Sequence, residues 1–239
     1  MTPELHVLIP AAGSGQRFAS DIPKQYATFL DLFLLDHSVD QLIRLVAPKN
    51  LIVGLAEDDP LWSKTQASQS SAVKSVIGGT TRAETVFNMI SALENIEADD
   101  WVLVHDAVRP CINSTGLKPL LDALLSTGAS GISLGQQVNQ AVKRVSEQGT
   151  VIRSEIREGL WLTHTPQVFR YSALLESMQG CMQEGLSFDD EMMALHHFGF
   201  ATEMVEGSAL NIKITEPDDL RLAENYWKIM QSQSGETNL

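Results

Sequence analysis

The chain has 239 residues, of which 44% are hydrophobic, enough for one sizeable α/β domain or two small ones, and it carries a formal net charge of -13. This charge excludes a global field that attracts nucleic acid or anionic membranes, and no segment approaches the roughly 20 apolar residues of a membrane span, so neither is expected as a partner. Two cysteines imply no disulfide framework and the first ten residues lack the basic segment of a signal peptide, so we expect a cytoplasmic protein.

Short apolar runs alternate with longer amphipathic segments from residue 6 to residue 135. The longer segments carry apolar residues at helical spacing, and several short runs are apolar on both faces, as strands of a buried parallel sheet are. The alternation predicts βαβ units and therefore a Rossmann-like α/β fold, with a doubly wound, mostly parallel sheet. Strands are predicted at 6–10, 51–56, 73–79, 101–107 and 130–135, and helices at 35–47, 81–96 and 114–128.

The pattern changes near residue 137. Polar and apolar residues alternate over 138–156 around Gln148-Gly149, which predicts an inserted β-arm at about 137–156. No linker divides the chain, so residues 1–239 are predicted to form a single domain. Beyond the arm, the pattern predicts helices over 171–185 and 188–199, strands over 201–207 and 211–215, and a last helix from Pro217 with Thr215 as N-cap and Asp218 as the acid at N3.

The first predicted strand runs into a loop that contains Gly13 and Gly15, and the cations Arg17 and Lys24 follow it. Ligands of doubly wound sheets lie at the carboxyl ends of the strands, and glycines let successive backbone N–H groups point to one place. The loop lacks the lysine of a Walker motif and the third small residue of a dinucleotide fingerprint. We therefore predict a phosphate-bearing ligand of another kind here.

Six blocks in chain order resemble the cytidylyltransferases that act on sugar-alcohol phosphates, above all the 2-C-methyl-D-erythritol 4-phosphate cytidylyltransferase family. The blocks are "PAAGSGQRF" with "PKQY", "GGTTRAETV", "VLVHDAVRPC", "REGLWLTHTPQVF", "DDEMMAL" and "NIKIT". The resemblance covers nearly the whole chain. It implies a fold of the nucleotide-diphospho-sugar transferase type, with CTP and a polyol phosphate as substrates and Mg²⁺ as cofactor.

The family transfers a cytidylyl group from CTP to a phosphomonoester and releases pyrophosphate. A phosphomonoester is largely dianionic at pH 7, since its second pKa is about 6, so the nucleophile needs no general base. The reaction needs cations instead, which reduce the repulsion between two polyanions and stabilise the leaving pyrophosphate. By motif position, the resemblance assigns the triphosphate and the transition state to Arg17, Lys24 and Lys213, and the phosphate cradle to the backbone of Ala11, Ala12, Gly13 and Gly15.

The remaining assignments also come from the resemblance. Gly79, Thr80 and Thr85 match the turn that binds the base, although the Thr85 hydroxyl also fits an ordinary helix start. Asp106 matches the acidic residue near the substrate hydroxyls and the metal; an aspartate at a strand end is otherwise a loop cap. The polyol phosphate is assigned to Arg109 and, from a partner subunit across an exchanged arm, to Arg157 and Thr165, which implies a homodimer.

The chain departs from the family pattern in the predicted arm. Gln137 stands where a proline is usual, and Gln140 and Ala141 stand where Asp-Thr is usual; Asp189 replaces a threonine elsewhere. The threonine hydroxyl belongs to the polyol-phosphate pocket of the family, so these departures concern the acceptor. A ribitol 5-phosphate cytidylyltransferase and a CTP-binding regulator without transfer activity remain the alternatives.

Overall fold

The computed structural model describes residues 3–13, 22–186, 188 and 190–235. Gly15, Arg17 and Asp189, all named above, lie outside the described residues. Strands are β1 (Leu5–Pro10), β2 (Thr28–Phe29), β3 (Leu32–Phe33), β4 (Asn50–Leu55), β5 (Val73–Ile77), β6 (Trp101–Val104), β7 (Gly131–Gln137), β8 (Val142–Val145), β9 (Val151–Glu155), β10 (Trp161–Arg170) and β11 (Thr202–Glu206). Helices are α1 (Leu34–Val46), α2 (Arg82–Ser91), α3 (Ser114–Leu124), α4 (Tyr171–Glu184), α5 (Glu191–His197) and α6 (Pro217–Gly235), with 3₁₀ turns at Lys24–Tyr26, Trp62–Lys64 and Ala67–Gln69.

A seven-stranded sheet in the order β11-β7-β10-β6-β1-β4-β5 forms the centre of the molecule. Successive residues of β1 point to opposite faces of it. Val7 and Ile9 pack into a core with residues of α1 and α3, whereas Leu8 packs into a second core with residues of α2, α4 and α5. Helices therefore cover both faces, and the predicted doubly wound α/β fold is confirmed.

The sheet is parallel except at β10. The pairs β1–β4, β1–β6, β4–β5 and β7–β11 are parallel, and β10 runs antiparallel to both of its neighbours, β6 and β7. This strand was not predicted from the sequence, because "WLTHTP" shows no clear alternation of polar and apolar residues. The last residues of β10 before α4, Gln167 to Phe169, are buried between the two neighbours. The described sheet is mostly parallel, as predicted, with one reversed strand in its middle.

The prediction of a strand at 211–215 is wrong. This segment is not a strand, and Ile214 is buried among residues of α1 and α6 while its N–H donates to Val108 O at 3.0 Å. The alternating apolar residues therefore reflect packing in a loop. The N-cap prediction for the last helix is displaced by one residue: Asp219, not Asp218, accepts the N–H groups of Thr215 (2.8 Å) and Glu216 (2.9 Å).

The predicted arm is an antiparallel hairpin of β8 and β9, which confirms its type. Gly149 adopts a φ of 80° in the connecting turn, where a side chain would be strained. The hairpin projects from the domain with apolar side chains on its surface: Val145 is 50% and Ile152 is 62% exposed. A two-stranded hairpin is at best marginally stable alone in water, so this arm lacks the packing that a stable strand pair needs.

No helix in the described part of the chain is both long and apolar enough to cross a membrane.

Candidate active site

A cavity of about 180 Å³ lies at the carboxyl ends of β1 and of the strands beside it. It collects four separate pieces of chain: the end of β1, the 3₁₀ turn at Lys24–Tyr26, the turn between β5 and α2, and the loop after β6, with Lys213 reaching in from the segment before α6. The described lining residues are Pro10, Ala11, Ala12, Gly13, Lys24, Gln25, Gly79, Thr80, Thr81, Arg82, Thr85, Asp106, Ala107, Val108 and Lys213. Nine of them are residues that the resemblance assigns to nucleotide or substrate.

The loop that follows β1 is fixed from two sides. The Ala11 N–H donates to Gly54 O at 2.7 Å, which continues the pairing of β1 with β4. The Gln25 side-chain amide donates to Ala11 O at 2.6 Å and to Gly13 O at 3.1 Å. Gln25 immediately follows Lys24, so the same short turn presents a cation to the cavity and holds the loop.

Gly79 and Thr80 belong to a tightly bonded turn. The Gly79 N–H donates to the Thr85 hydroxyl oxygen at 3.0 Å, and the Thr85 hydroxyl in turn donates to Thr81 O at 2.9 Å. The Glu84 carboxylate accepts the N–H and the hydroxyl of Thr80 at 2.7 and 2.6 Å. A Cβ on Gly79 would lie 2.2 Å from Glu84 Cβ, so the turn requires glycine at this position. The buried Thr85 hydroxyl thus orders the predicted base-binding turn.

Asp106 is the acidic centre of the site, where three cations converge on its carboxylate. Lys213 Nζ lies 3.0 Å and Arg109 Nε 3.2 Å from Oδ2, and an Arg82 terminal nitrogen lies 3.7 Å from Oδ1. Burial alone would raise the pKa of Asp106, but attraction by Lys213, Arg82 and Arg109 outweighs it and holds this pKa well below its usual range. The carboxylate is therefore ionised at neutral pH.

Arg109 and Thr165 both contact Asp106 and belong to one hydrogen-bonded group. The Thr165 hydroxyl accepts the Asp106 N–H at 3.0 Å, and an Arg109 terminal nitrogen donates to Asn211 O at 2.8 Å. The Asn211 side-chain amide donates to Thr165 O at 2.7 Å, which closes the group. Arg109 and Thr165 are both buried and are not among the described residues that line the cavity. In this arrangement they hold Asp106 in place.

Arg82 lines the cavity, although no role was predicted for it from the sequence. It begins α2 and forms an ion pair with Glu191, which begins α5 and is 2% exposed. Burial lowers the pKa of the Arg82 guanidinium, but attraction by Glu191 and Asp106 outweighs it, and the pKa is raised. The sequence did contain a sign that both residues belong to the site, because Arg82 lies in the "GGTTRAETV" block and Glu191 in the "DDEMMAL" block. Their pairing across 109 positions of sequence had no local sign.

The sequence of residues 5–229 matches the profile of the family IspD, 2-C-methyl-D-erythritol 4-phosphate cytidylyltransferase. The chain belongs to this family. A protein of that name from Hahella chejuensis is 38% identical over 232 residues, which cover 96% of each chain. One from Haemophilus influenzae (strain 86-028NP) is 38% identical over 226 residues, with 95% of this chain and 97% of the relative covered.

The crystal structure of the IspD of Francisella tularensis has the same fold. It superposes with a TM-score of 0.82 at 31% identity and covers 93% of this chain and 99% of its own. The predicted family resemblance is thus confirmed, and the chain is a cytidylyltransferase of the non-mevalonate isoprenoid pathway.

Arg157 of this cytidylyltransferase is not among the described residues that line the cavity. Arg157 is exposed and a terminal nitrogen donates to Asn139 O at 2.6 Å, at the base of the arm. Gln140 and Ala141 are also exposed there and line a separate, larger cavity of about 850 Å³. The family resemblance assigned both Thr165 and Arg157 to a partner subunit. The structure separates the two, because Thr165 contacts Asp106 of its own chain.

The donors available to a metal in this cytidylyltransferase are few. Of the described residues that line the cavity, Asp106 is the one carboxylate. Among the described ranges, the one cluster of three His, Asp or Glu donors is Glu4, His6 and Asp100, which lies at the opposite end of β1. His6 already bonds Asp100 at 3.3 Å, and Glu4 pairs with Lys49. A metal at the active site would therefore rest on Asp106.

Proposed function

We propose that this cytidylyltransferase transfers CMP from CTP to 2-C-methyl-D-erythritol 4-phosphate and releases pyrophosphate. The observation that carries the proposal is the cavity that joins a glycine loop to Lys24, Arg82 and Lys213 around one ionised carboxylate, in a chain of net charge -13. A cationic pocket in an acidic protein attracts a polyanion locally. The names of its relatives identify the phosphorylated acceptor.

The chemistry follows from these charges. The acceptor phosphate is already anionic and attacks the α-phosphorus of CTP without a general base. Lys24 and Lys213 would offset the charge that grows on the α-phosphate oxygens and on the leaving pyrophosphate. The loop at Ala11–Gly13 would hold the phosphates through backbone N–H groups, and the turn at Gly79–Thr80 would hold the cytosine. Each role uses a piece of chain that the fold brings to the same cavity.

The site also fits a magnesium ion carried by the nucleotide. Mg²⁺ is usually bound by one or two carboxylates together with substrate phosphates and water, and Asp106 offers one carboxylate that stays ionised. Bound there, the ion would supply positive charge to the phosphates. The same carboxylate also pairs with Lys213, Arg109 and Arg82, so the ion would share Asp106 with these cations.

The arm supports the proposal of a homodimer with arm exchange. Residues Val145, Val151 and Ile152 are at least half exposed on a hairpin that is too small to be stable by itself. Packing against a second copy would bury them. It would also place Arg157, which stands at the base of the arm, near the cavity of the partner.

The direct test is incubation with Mg²⁺ and CTP and each of two acceptors, 2-C-methyl-D-erythritol 4-phosphate and ribitol 5-phosphate, with release of pyrophosphate as the readout. We expect release with the first acceptor. Faster release with ribitol phosphate would replace the proposed acceptor, and CTP binding with no release from either acceptor would favour a regulator. Omission of Mg²⁺ should abolish release, and unchanged release in a chelator would remove the metal from the proposal.

Replacing Gln140 and Ala141 by the usual family residues (Gln140→Asp with Ala141→Thr) should lower the KM for the acceptor and leave the KM for CTP unchanged. A hydroxyl that donates to a charged phosphate typically contributes about 1.5–3 kcal/mol, so we expect the acceptor KM to fall by roughly tenfold or more. The cavity proposed for CTP is lined by other segments of the chain. Steady-state kinetics with each substrate varied in turn would measure both effects.

The control pair is Gln148→Asp and Thr150→Ala, in the exposed hairpin turn at the tip of the same arm; it makes the same change of charge and the reverse exchange of alanine and threonine. No change in either KM is expected there. If the restored pair leaves the acceptor KM as it was, the acceptor is not bound at the base of the arm. If it abolishes transfer to methylerythritol phosphate while another polyol phosphate is the better substrate of the unchanged chain, these two residues determine a different specificity.

Subunit complementation tests the exchanged arm. A chain with Lys24→Ala and a chain with Arg157→Ala are each expected to be nearly inactive as homodimers. If Arg157 serves the partner's cavity, a heterodimer contains one cavity with both residues intact, so mixing should restore activity. Absence of recovery, after subunit exchange has been verified by mass spectrometry, would mean that Arg157 acts within its own chain.

A further inference from the structure

Gln25 joins the two phosphate-facing pieces of the cavity. Its side chain is buried, with the whole residue 4% exposed, and its amide nitrogen donates to Ala11 O at 2.6 Å and to Gly13 O at 3.1 Å. Both hydrogens of the carboxamide therefore donate to carbonyl oxygens of the same loop. Because the two acceptors lie on the loop that follows β1, the carboxamide ties this loop to the turn that carries Lys24.

The two bonds set the direction of the loop's peptide groups. In a planar trans peptide the C=O and the next N–H point in opposite directions. Because Ala11 O points at Gln25, the Ala12 N–H points away from Gln25. The bonds also hold two partially negative oxygens against the carboxamide instead of leaving them to face an anion in the cavity. A loop with its carbonyls pinned in this way binds phosphate better than one whose peptides can flip.

The position of Gln25 is itself fixed by the neighbouring residue Tyr26. It lies in the 3₁₀ turn Lys24–Tyr26, and the Tyr26 hydroxyl donates to the Asp59 carboxylate at 2.6 Å. Tyr26 is fully buried, and burial together with this bond raises its pKa, so the phenol keeps its proton. Asp59 also accepts the N–H groups of Leu61 and Trp62. Lys24 and the loop at Ala11–Gly13 are thus held as one unit by Gln25.

We propose that Gln25 is a positioning residue for the triphosphate of the nucleotide: its carboxamide holds the Ala11 and Gly13 carbonyls away from the phosphates and sets the loop at a fixed distance from Lys24. This inference rests on the proposed function, because it takes CTP as the ligand. Gln25 acts through the loop, and the base and the acceptor are held by other segments. Its loss should therefore weaken the triphosphate contact selectively.

The test compares Gln25→Glu and Gln25→Met with the unchanged chain. Glutamate keeps the shape but cannot donate, and it adds a negative charge beside two carbonyls; methionine keeps the length without charge or donor. Calorimetric titration should show CTP affinity at least tenfold lower in Gln25→Glu and severalfold lower in Gln25→Met. Cytidine affinity should stay within twofold of the unchanged chain, and so should the acceptor KM. Gln66→Glu, an exposed glutamine with the same change of charge, should bind CTP normally.

Three results would overturn the proposal. If both variants bind CTP as the unchanged chain does, the carboxamide does not position the loop. If CTP and cytidine weaken by the same factor, Gln25 supports the domain generally. If the unchanged chain does not bind CTP at all, the proposed function is wrong and this inference falls with it. Should Gln25→Glu fail to fold in urea titrations, Gln25→Met alone decides, since it places no charge in the buried site.

Discussion

Lys213→Ala should lower kcat by about 10²–10³-fold and change the KM for CTP much less. Lys213 reaches the cavity from the loop before α6, with Nζ 3.0 Å from the Asp106 carboxylate. A cation in this place stabilises charge that appears only as the bond to pyrophosphate breaks. Its removal therefore raises the free energy of the transition state more than that of bound CTP. Lys24→Ala is expected to behave in the same way. Single-turnover measurements with saturating CTP would separate the chemical step from binding.

The matched control is Lys118→Ala. Lys118 lies on α3, pairs with Asp122, and its side chain is 70% exposed, so its removal should leave kcat unchanged. Turnover within twofold of the unchanged chain in both Lys24→Ala and Lys213→Ala would contradict their assignment to the triphosphate. A rise in the KM for CTP with kcat preserved would mean that they bind the ground state and the transition state equally.

Asp106→Asn should lower the free energy of unfolding by about 3–5 kcal/mol at pH 7, because it leaves the buried Arg109 guanidinium without its counter-charge. Arg109, whose side chain is 9% exposed, would lose its one carboxylate partner among the described residues. Lys213 and Arg82 would lose an attraction as well. Urea unfolding followed by circular dichroism would measure the difference. Asp122→Asn removes the partner of the exposed Lys118 and should have no comparable effect.

The pH dependence of the Asp106 effect has a definite sign. The pKa of Asp106 is lowered in the folded chain, so its stabilisation is complete above the unfolded-chain value of about 3.9 and is lost as pH falls below it. The gap in stability between the unchanged chain and Asp106→Asn should therefore be constant from pH 7 to about pH 5 and narrow below pH 4. A gap that widens on acidification would contradict the lowered pKa.

The sequence predicted most of the sheet because its strands follow a local rule. Segments such as Leu51–Leu55 are apolar on both faces and short, and this pattern is typical of a strand buried between helices. β10 had no such pattern, since its first half is exposed and its second half buried. Residues 211–215 alternated like a strand, yet Ile212 and Ile214 alternate because both pack from a loop against one hydrophobic cluster. Local periodicity reports which side chains are buried and does not report what buries them.

The candidate site was predictable where the family motifs carry it and not where distant residues meet. The positions of Lys24, Asp106 and Lys213 were expected to converge, and they line one cavity. The ion pair of Arg82 with Glu191 was not predicted, because nothing in either neighbourhood shows that α2 and α5 begin side by side. The two bonds from Gln25 also depend on backbone carbonyls, which have no sequence signature.

The cavity walls come from both ends of the polypeptide, with Ala11–Gly13 and Lys24 near the start and Lys213 near the finish. During synthesis the loop at Ala11–Gly13 leaves the ribosome long before Lys213, and β1 cannot pair with β6 until residue 101 has been made. A nascent chain or a fragment that stops short of residue 213 can assemble most of the sheet yet has no complete anion pocket. Since a ligand shifts the folding equilibrium toward the state that binds it, an anion bound in this pocket would stabilise a chain that includes residue 213 more than a fragment that lacks it.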